Sequence, residues 1–207
     1  MDMTTEQQNL LNVARQTIDN EVAALGLIRE RLDERFIAAV EAILACRGRV
    51  IFTGMGKSGL IARKITATMT STGTPTLFLH PAEAMHGDMG IITKDDVVVA
   101  LSYSGRTDET LVVVEYAHNN GNKIIAMTGC DTSPIASLAN IHLDVAVERE
   151  DCIIDIVPTS STTAQLALGD AIASALMQAR GFKAENFAHL HPGGYIERRL
   201  SLGEISK

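Results

Sequence analysis

Residues 97–109 read Val97-Val98-Val99-Ala100-Leu101-Ser102-Tyr103-Ser104-Gly105-Arg106-Thr107-Asp108-Glu109, and an amphipathic segment from Leu111 to His118 follows. An unbroken apolar run that opens into a hydroxyl-rich turn and then a helix start predicts a buried strand, a loop and a helix in succession. The turn also suits a phosphate. Ser102, Ser104 and Thr107 offer hydroxyl donors, Gly105 admits close backbone approach, and the helix start adds unpaired N–H groups with a partial positive charge. Glu109, two residues past Thr107, is a carboxylate within reach of whatever the phosphate is attached to. The plainer reading is a strand-to-helix turn with ordinary capping residues.

Four further apolar runs share this character: Arg49–Thr53, Thr76–Leu79, Lys123–Met127 and His142–Val147. Helical segments lie between them. Near-continuous apolar strands alternating with helices predict an α/β fold, a five-stranded parallel sheet covered on both faces. Right-handed crossovers make it doubly wound and flavodoxin-like, with ligands outside the carboxyl ends of the strands. Before the first strand, Leu11, Ile18, Val22 and Leu25 form a helical stripe, and Phe36, Val40 and Ile43 mark one face of a second helix. From Ser161 to Arg180 the chain is apolar almost all round, so that helix must be buried on most sides. A second subunit is one way to cover it and, with the N-terminal helical stripe, this points to a homo-oligomer.

The 207 residues, 46% of them hydrophobic, suffice for one compact domain spanning residues 1–207, and no repeat or linker divides it. A net charge of −7 and the lack of a basic patch argue against nucleic-acid binding. Any phosphate site must then be built locally, from amides and hydroxyls. Cys46, Cys130 and Cys152 form no CxxC pair and no secretory leader precedes them, so free thiols in the cytoplasm are expected. No run is long enough to span a membrane.

Gly54-Met55-Gly56-Lys57-Ser58-Gly59 follows the first strand with GxGxxG spacing. The acid that would hold a dinucleotide ribose is missing at Leu77-Phe78-Leu79-His80-Pro81, and Ile51 stands where a Walker loop needs its first glycine. The loop therefore suits a phosphate or small polar group, with Gly56, Lys57 and Ser58 as contacts; a merely solvated lysine is the alternative. His80 to Asp88 holds two histidines and two acids, readable as a metal site or as a turn presenting one substrate-binding histidine, His86. Glu148-Arg149-Glu150-Asp151, at the end of the last strand, is either a solvated turn or a carboxylate poised over substrate. Ser160, Ser161 and Thr162, within the hydroxyl run Thr159–Thr163, exceed the needs of one N-cap and read as a second polar wall. His191, in the turn His191-Pro192-Gly193-Gly194, can move protons near neutral pH.

Together these segments, with Ser71-Thr72-Gly73-Thr74-Pro75 and Ala179-Arg180-Gly181-Phe182, resemble the sugar isomerase (SIS) domain of the arabinose 5-phosphate isomerases over residues 40 to 200. The resemblance implies a homotetramer with histidines entering sites from neighbouring subunits. It implies interconversion of D-ribulose 5-phosphate and D-arabinose 5-phosphate through an enediol, supplying the lipopolysaccharide or capsule sugar Kdo, without a cofactor. The family's active-site positions fall on Lys57, His86, Glu109, Glu150 and His191. His86 and His191 are then also candidate ligands for an inhibitory zinc ion. Relatives usually carry a pair of regulatory CBS domains after this one; the chain stops at Lys207, so regulation through that module is expected to be absent. Tyr103 and Arg106 stand where relatives often have Asn and Glu, and Asp151–Asp155 departs from a small, proline-containing stretch.

Other classes remain open on the residues. An SIS isomerase for another ketose phosphate needs the same groups. A non-catalytic sugar-phosphate-binding regulator needs the hydroxyl loop but not Glu109, Glu150 and His191 together.

Overall fold

Strand β1 (Val50–Thr53) is flanked in the sheet by β2 (Thr76–Leu79) on one side and β3 (Val97–Leu101) on the other, with β4 (Lys123–Thr128) and β5 (Ile141–Asp144) beyond β3. All pairings are parallel and the order is β2-β1-β3-β4-β5, the doubly wound order expected from the alternating pattern. The computed structural model describes residues 3–151, 154–192, 194, 198 and 199. Two thiols there, Cys46 and Cys130, are free; Cys152 and Gly193 lie outside the described residues.

Helices cover both faces. On one lie α1 (Thr5–Glu30), α2 (Glu34–Leu44), α3 (Gly56–Ser71) and α7 (Ser160–Ala179); their Ile28, Val40, Ile43, Ile65, Leu168 and Ile172 join Val50, Phe52, Val97 and Val99 of the sheet in one buried cluster. The opposite cluster joins Ile51, Val98 and Ala100 to α4 (Pro81–Ala84), α5 (Asp108–Asn120) and α6 (Pro134–Leu138). This is the pleat at work: alternate residues of β1 and β3 point to opposite faces, and both must be apolar. Helix α2 starts where Asp33 accepts a hydrogen bond from the Arg35 amide, and α5 stops at Gly121, left-handed at φ 81°.

Two expectations need correction. The last strand stops at Asp144, so Glu148–Asp151 do not end it. The Asp144 side chain accepts from the Ala146 amide at 2.8 Å and turns the chain, leaving Glu150 in a loop six residues on. Secondly, α7 is covered mainly by its own chain, packing on α3, α1 and α2. The N-terminal stripe is helical, as its spacing predicts, and it faces outward: Ile18 and Val22 are 61% and 62% exposed, and Leu10, Leu11 and Val13 lie open beside them. Only Ala24 and Ile28 of α1 are fully buried. The uncovered apolar face thus belongs to α1.

Candidate active site

β1 and β3 are adjacent, but the chain leaves them in opposite directions across the sheet, so their carboxyl ends bound a crevice. The two loops singled out by the sequence follow these two strands. After β1, Gly54 lies against β3: a Cβ there would be 2.7 Å from the Leu101 carbonyl oxygen. Gly56 opens α3 with a left-handed φ of 55°, and a Cβ on it would meet nothing within 4 Å. Lys57 is exposed and Ser58 half-buried in the first turn of α3, whose N-terminus has no side-chain cap.

After β3 the chain makes a tight turn, the Gly105 amide donating to the Ser102 carbonyl at 3.0 Å. Gly105 sits at φ 63°, and a Cβ would strike the Ser133 hydroxyl at 2.0 Å, so only glycine fits. The hydroxyls of Ser102 and Thr107 are 3.0 Å apart, and the Arg106 amide donates to the Ser104 hydroxyl at 3.2 Å. Thr107 occupies the cap position of α5 yet makes no side-chain cap bond. Its hydroxyl meets Ser102 instead, and the first-turn amides of α5 lack that cap. Two uncapped helix N-termini, on α3 and α5, therefore rise from adjacent strands. Amides, hydroxyls and aligned dipoles suit an anion there.

The two glutamates differ sharply. Glu109 lies half-buried in the first turn of α5 and has no hydrogen-bonding or ionic partner among the described residues. Glu150 is buried, and its Oε2 accepts from the Thr159 amide (2.8 Å), the Thr159 hydroxyl (3.2 Å) and the Ser161 amide (3.2 Å). A carboxylate thus caps α7, where the helix dipole favours it. The hydroxyl run beside it is largely engaged: Ser160 donates to Asp151, and Thr162 donates to the Thr159 carbonyl at 2.8 Å. Ser161 is buried in the same turn.

Several contacts that the sequence did not announce hold the segment between β5 and α7. Arg31 donates to the Ala146 carbonyl at 2.6 Å and pairs with Asp144 at 3.4 Å. Asn20 of α1 donates to Asp151, and the Glu150 amide donates to Asp155 at 2.6 Å. Tyr103, from the hydroxyl turn, bonds the Val147 backbone. Only Tyr103 carried a hint, being a large aromatic in a turn of small residues.

The histidines stand apart. His86 is exposed after α4, which follows β2, the neighbour of β1. His191 ends α8 (Ala184–Leu190), its ring stacked on Phe187 at 3.8 Å and its Nδ1 donating to the Phe187 carbonyl at 2.7 Å. That tautomer leaves Nε2 to accept a proton. Helix α7 begins beside Glu150 and ends where Arg180 bonds Thr74, just ahead of β2. Its 20 residues cover about 30 Å, from the carboxyl to the amino end of the sheet. The chain thus enters α8 at the end remote from the crevice. No hydrogen bond or ring contact among the described residues joins His191 to the cradle, and no cluster of their His, Cys, Asp and Glu side chains could hold a metal ion.

Beyond β4, Cys130 borders the hydroxyl turn. The Thr132 hydroxyl at 3.4 Å, the Thr132 backbone and the Arg106 charge hold its thiol below the ordinary thiol value. No helix among the described residues is long and apolar enough to cross a membrane.

Comparison with known proteins agrees with this layout. The SIS domain family model matches residues 43–175. The arabinose 5-phosphate isomerase KdsD of Pseudomonas aeruginosa is 51% identical over 197 residues, 94% of this chain and 60% of that protein. The arabinose 5-phosphate isomerase GutQ of Escherichia coli K12 is 47% identical over 191 residues, 92% of this chain and 60% of that protein. The chain spans about 60% of the length of these curated relatives. A protein of Escherichia coli CFT073, solved in complex with arabinose 5-phosphate, superposes with a TM-score of 0.87 at 35% identity, covering 92% of this chain and all of that one. With the crevice, both its loops and all five strands of the sheet inside the matched span, the chain belongs to the SIS domain family.

Proposed function

We propose that this chain is an aldose–ketose isomerase that interconverts D-ribulose 5-phosphate and D-arabinose 5-phosphate. The observation that carries the reading is the pairing of an anion cradle, between two uncapped helix N-termini, with the unpartnered carboxylate of Glu109 in the same turn. The curated relatives, and the arabinose 5-phosphate complex of a 35% identical protein, support the choice of sugar. Residues 1–207 act as one SIS unit, and the product feeds Kdo for lipopolysaccharide or capsule in the cytoplasm.

The reaction moves a proton between C1 and C2. A base removes a C1 proton from the ketose and negative charge gathers on O2; the O1 proton passes to O2, and the base returns a proton to C2. Phosphate held by Ser102, Ser104, Thr107 and the amides of α5, with Gly56 and Ser58 across the crevice, supplies remote binding energy that orients the reacting carbons. Lys57 offsets the oxyanion. Glu109 or Glu150 serves as the carbon base, and His191 shuttles the hydroxyl proton through Nε2. His86 orients the sugar, beside the wall formed by Ser160, Ser161 and Thr162.

The active form is a homotetramer with shared sites. The remoteness of α8 from its own crevice supports delivery of His191 to a neighbour, and the outward apolar stripe of α1 supports a contact between subunits. Incubation with D-ribulose 5-phosphate in heavy water, followed by NMR, tests the reading, with ribose 5-phosphate and fructose 6-phosphate as controls. Arabinose 5-phosphate deuterated at C2 is the expected product. Turnover of a control alone would move the assignment to another SIS isomerase, and phosphate-dependent binding without turnover would make the chain a sugar-phosphate-binding regulator.

A further inference from the structure

Tyr103 sits between two hydroxyls of the cradle, but its own side chain leaves the turn. Its carbonyl accepts from the Gly129 amide at 2.8 Å, and its ring lies over Gly129 so closely that a Cβ there would be 2.7 Å from Cε2. Beyond the ring, the phenol oxygen accepts from the Val147 amide at 3.2 Å and donates to the Val147 carbonyl at 3.3 Å. A single hydroxyl thus engages both peptide groups of one residue, which fixes that residue's direction as well as its position.

Val147 lies three residues before Glu150, in backbone that has left the sheet. The last ladder-like bond there is from the Val145 amide to the Thr128 carbonyl at 3.0 Å. From Val147 to Asp151 the chain has no strand partner, and Tyr103 is its one tie to the cradle side of the crevice among the described residues; Asn20 ties Asp151 to α1, Thr159 to Ser161 hold Glu150 and Asp151 at the start of α7, and Arg31 holds Ala146 just ahead of the segment.

We propose that Tyr103 is a positioning residue: through Val147 it sets where the Glu150 segment stands relative to a phosphate held by Ser102, Ser104 and Thr107. The proposal rests on the isomerase reading above. A phosphate that draws in the turn shifts Tyr103, and Tyr103 carries Val147 with it. The reacting carbons and the Glu150 segment are thereby registered to the same anchor.

Tyr103→Phe keeps the ring on Gly129 and removes only the two bonds to Val147. With arabinose 5-phosphate as substrate, kcat should fall about ten- to a hundredfold, the scale for displacing a reacting group by about an ångström, with KM far less affected. Gly129→Ala pushes the ring aside and should give the same loss. The double variant should be no worse than either single one, since both break one link. A merely structural brace would lower the melting temperature, leave kcat of the folded enzyme unchanged and give additive effects.

Hydrogen exchange with inorganic phosphate gives a readout that needs no turnover. Phosphate should slow exchange over residues 145–151 in the wild type and leave Tyr103→Phe unresponsive. Unchanged kcat in Tyr103→Phe, or equal phosphate responses in the two proteins, would overturn the proposal. Wild-type enzyme that fails to turn over arabinose 5-phosphate would instead sink the isomerase reading, and the exchange comparison would still decide the coupling.

Discussion

Gly59 of α3 packs directly on Gly54: a Cβ built on Gly59 would stand 2.4 Å from the Gly54 carbonyl oxygen. The GxGxxG spacing is thus explained by close packing of helix on loop, without a dinucleotide. Gly59→Ala must push the start of α3 away from β1. The overpacking should cost about 1–3 kcal/mol, with strain at a rigid backbone atom rather than a pliant side chain. For a chain of this size that lowers the melting temperature by roughly 2–4 °C per kcal/mol. Calorimetry checks the stability, and phosphate titration should show weaker binding as well.

Glu109 and Glu150 should separate activity from stability. Glu109→Gln removes a carboxylate that holds nothing in place, so turnover should fall about 10²- to 10⁴-fold with an unchanged melting temperature. Glu150→Ala strips three acceptor contacts from the start of α7 and should cost about 1–3 kcal/mol besides any effect on rate. Parallel steady-state kinetics and thermal denaturation distinguish the two. A stability loss in Glu109→Gln equal to that in Glu150→Ala would contradict the geometry.

Cys130 should alkylate faster than Cys46. Its thiol is held below the ordinary value by Thr132 and then by Arg106, so the thiolate is populated at lower pH than for an unperturbed thiol. Cys46 instead turns its sulfur toward the carbonyls of Arg49 and Asp95, at 3.5 and 3.4 Å. The rate for Cys130 should climb through a midpoint displaced to lower pH, and Thr132→Val should return that midpoint upward. Peptide-resolved mass spectrometry after timed iodoacetamide pulses reads each cysteine separately.

Val22→Glu tests the assembly. An apolar side chain transferred fully from water contributes about 1.5–3 kcal/mol, and a charge in its place adds a desolvation cost. Because about 1.4 kcal/mol is a factor of ten, the association constant should fall at least about tenfold. Sedimentation velocity over a concentration series should show smaller species than the wild type, with the far-UV spectrum preserved. Identical sedimentation would remove α1 from the subunit contact.

The sheet was legible because its strands are short apolar runs separated by helix-length segments, and two-sided burial leaves no other arrangement for Val97–Leu101. The two loops of the crevice were legible through glycines that geometry requires, Gly54 and Gly105 above all. The outward face of α1 was not. A stripe of Leu11, Ile18 and Val22 carries the same period whether it faces its own sheet or another molecule. The end of β5 was missed because Val145 and Val147 continue the apolar pattern, while the turn is made by Asp144 reaching forward to an amide. Nor could spacing reveal that Glu150 caps a helix nine residues later, since that bond depends on how the intervening loop folds back.

The position of α7 in the chain bears on how the protein is made. This helix is the common neighbour of α1, α2 and α3, yet it follows the last strand by some fifteen residues. Until it emerges from the ribosome, the apolar surfaces that will receive Leu168 and Ile172 have no cover. A nascent chain that already holds all five strands therefore still displays greasy surface, the condition that recruits chaperones and invites aggregation. Synthesis halted just before Ser160 should leave a polypeptide that stays protease-sensitive, and completion of twenty more residues should convert it to a resistant one.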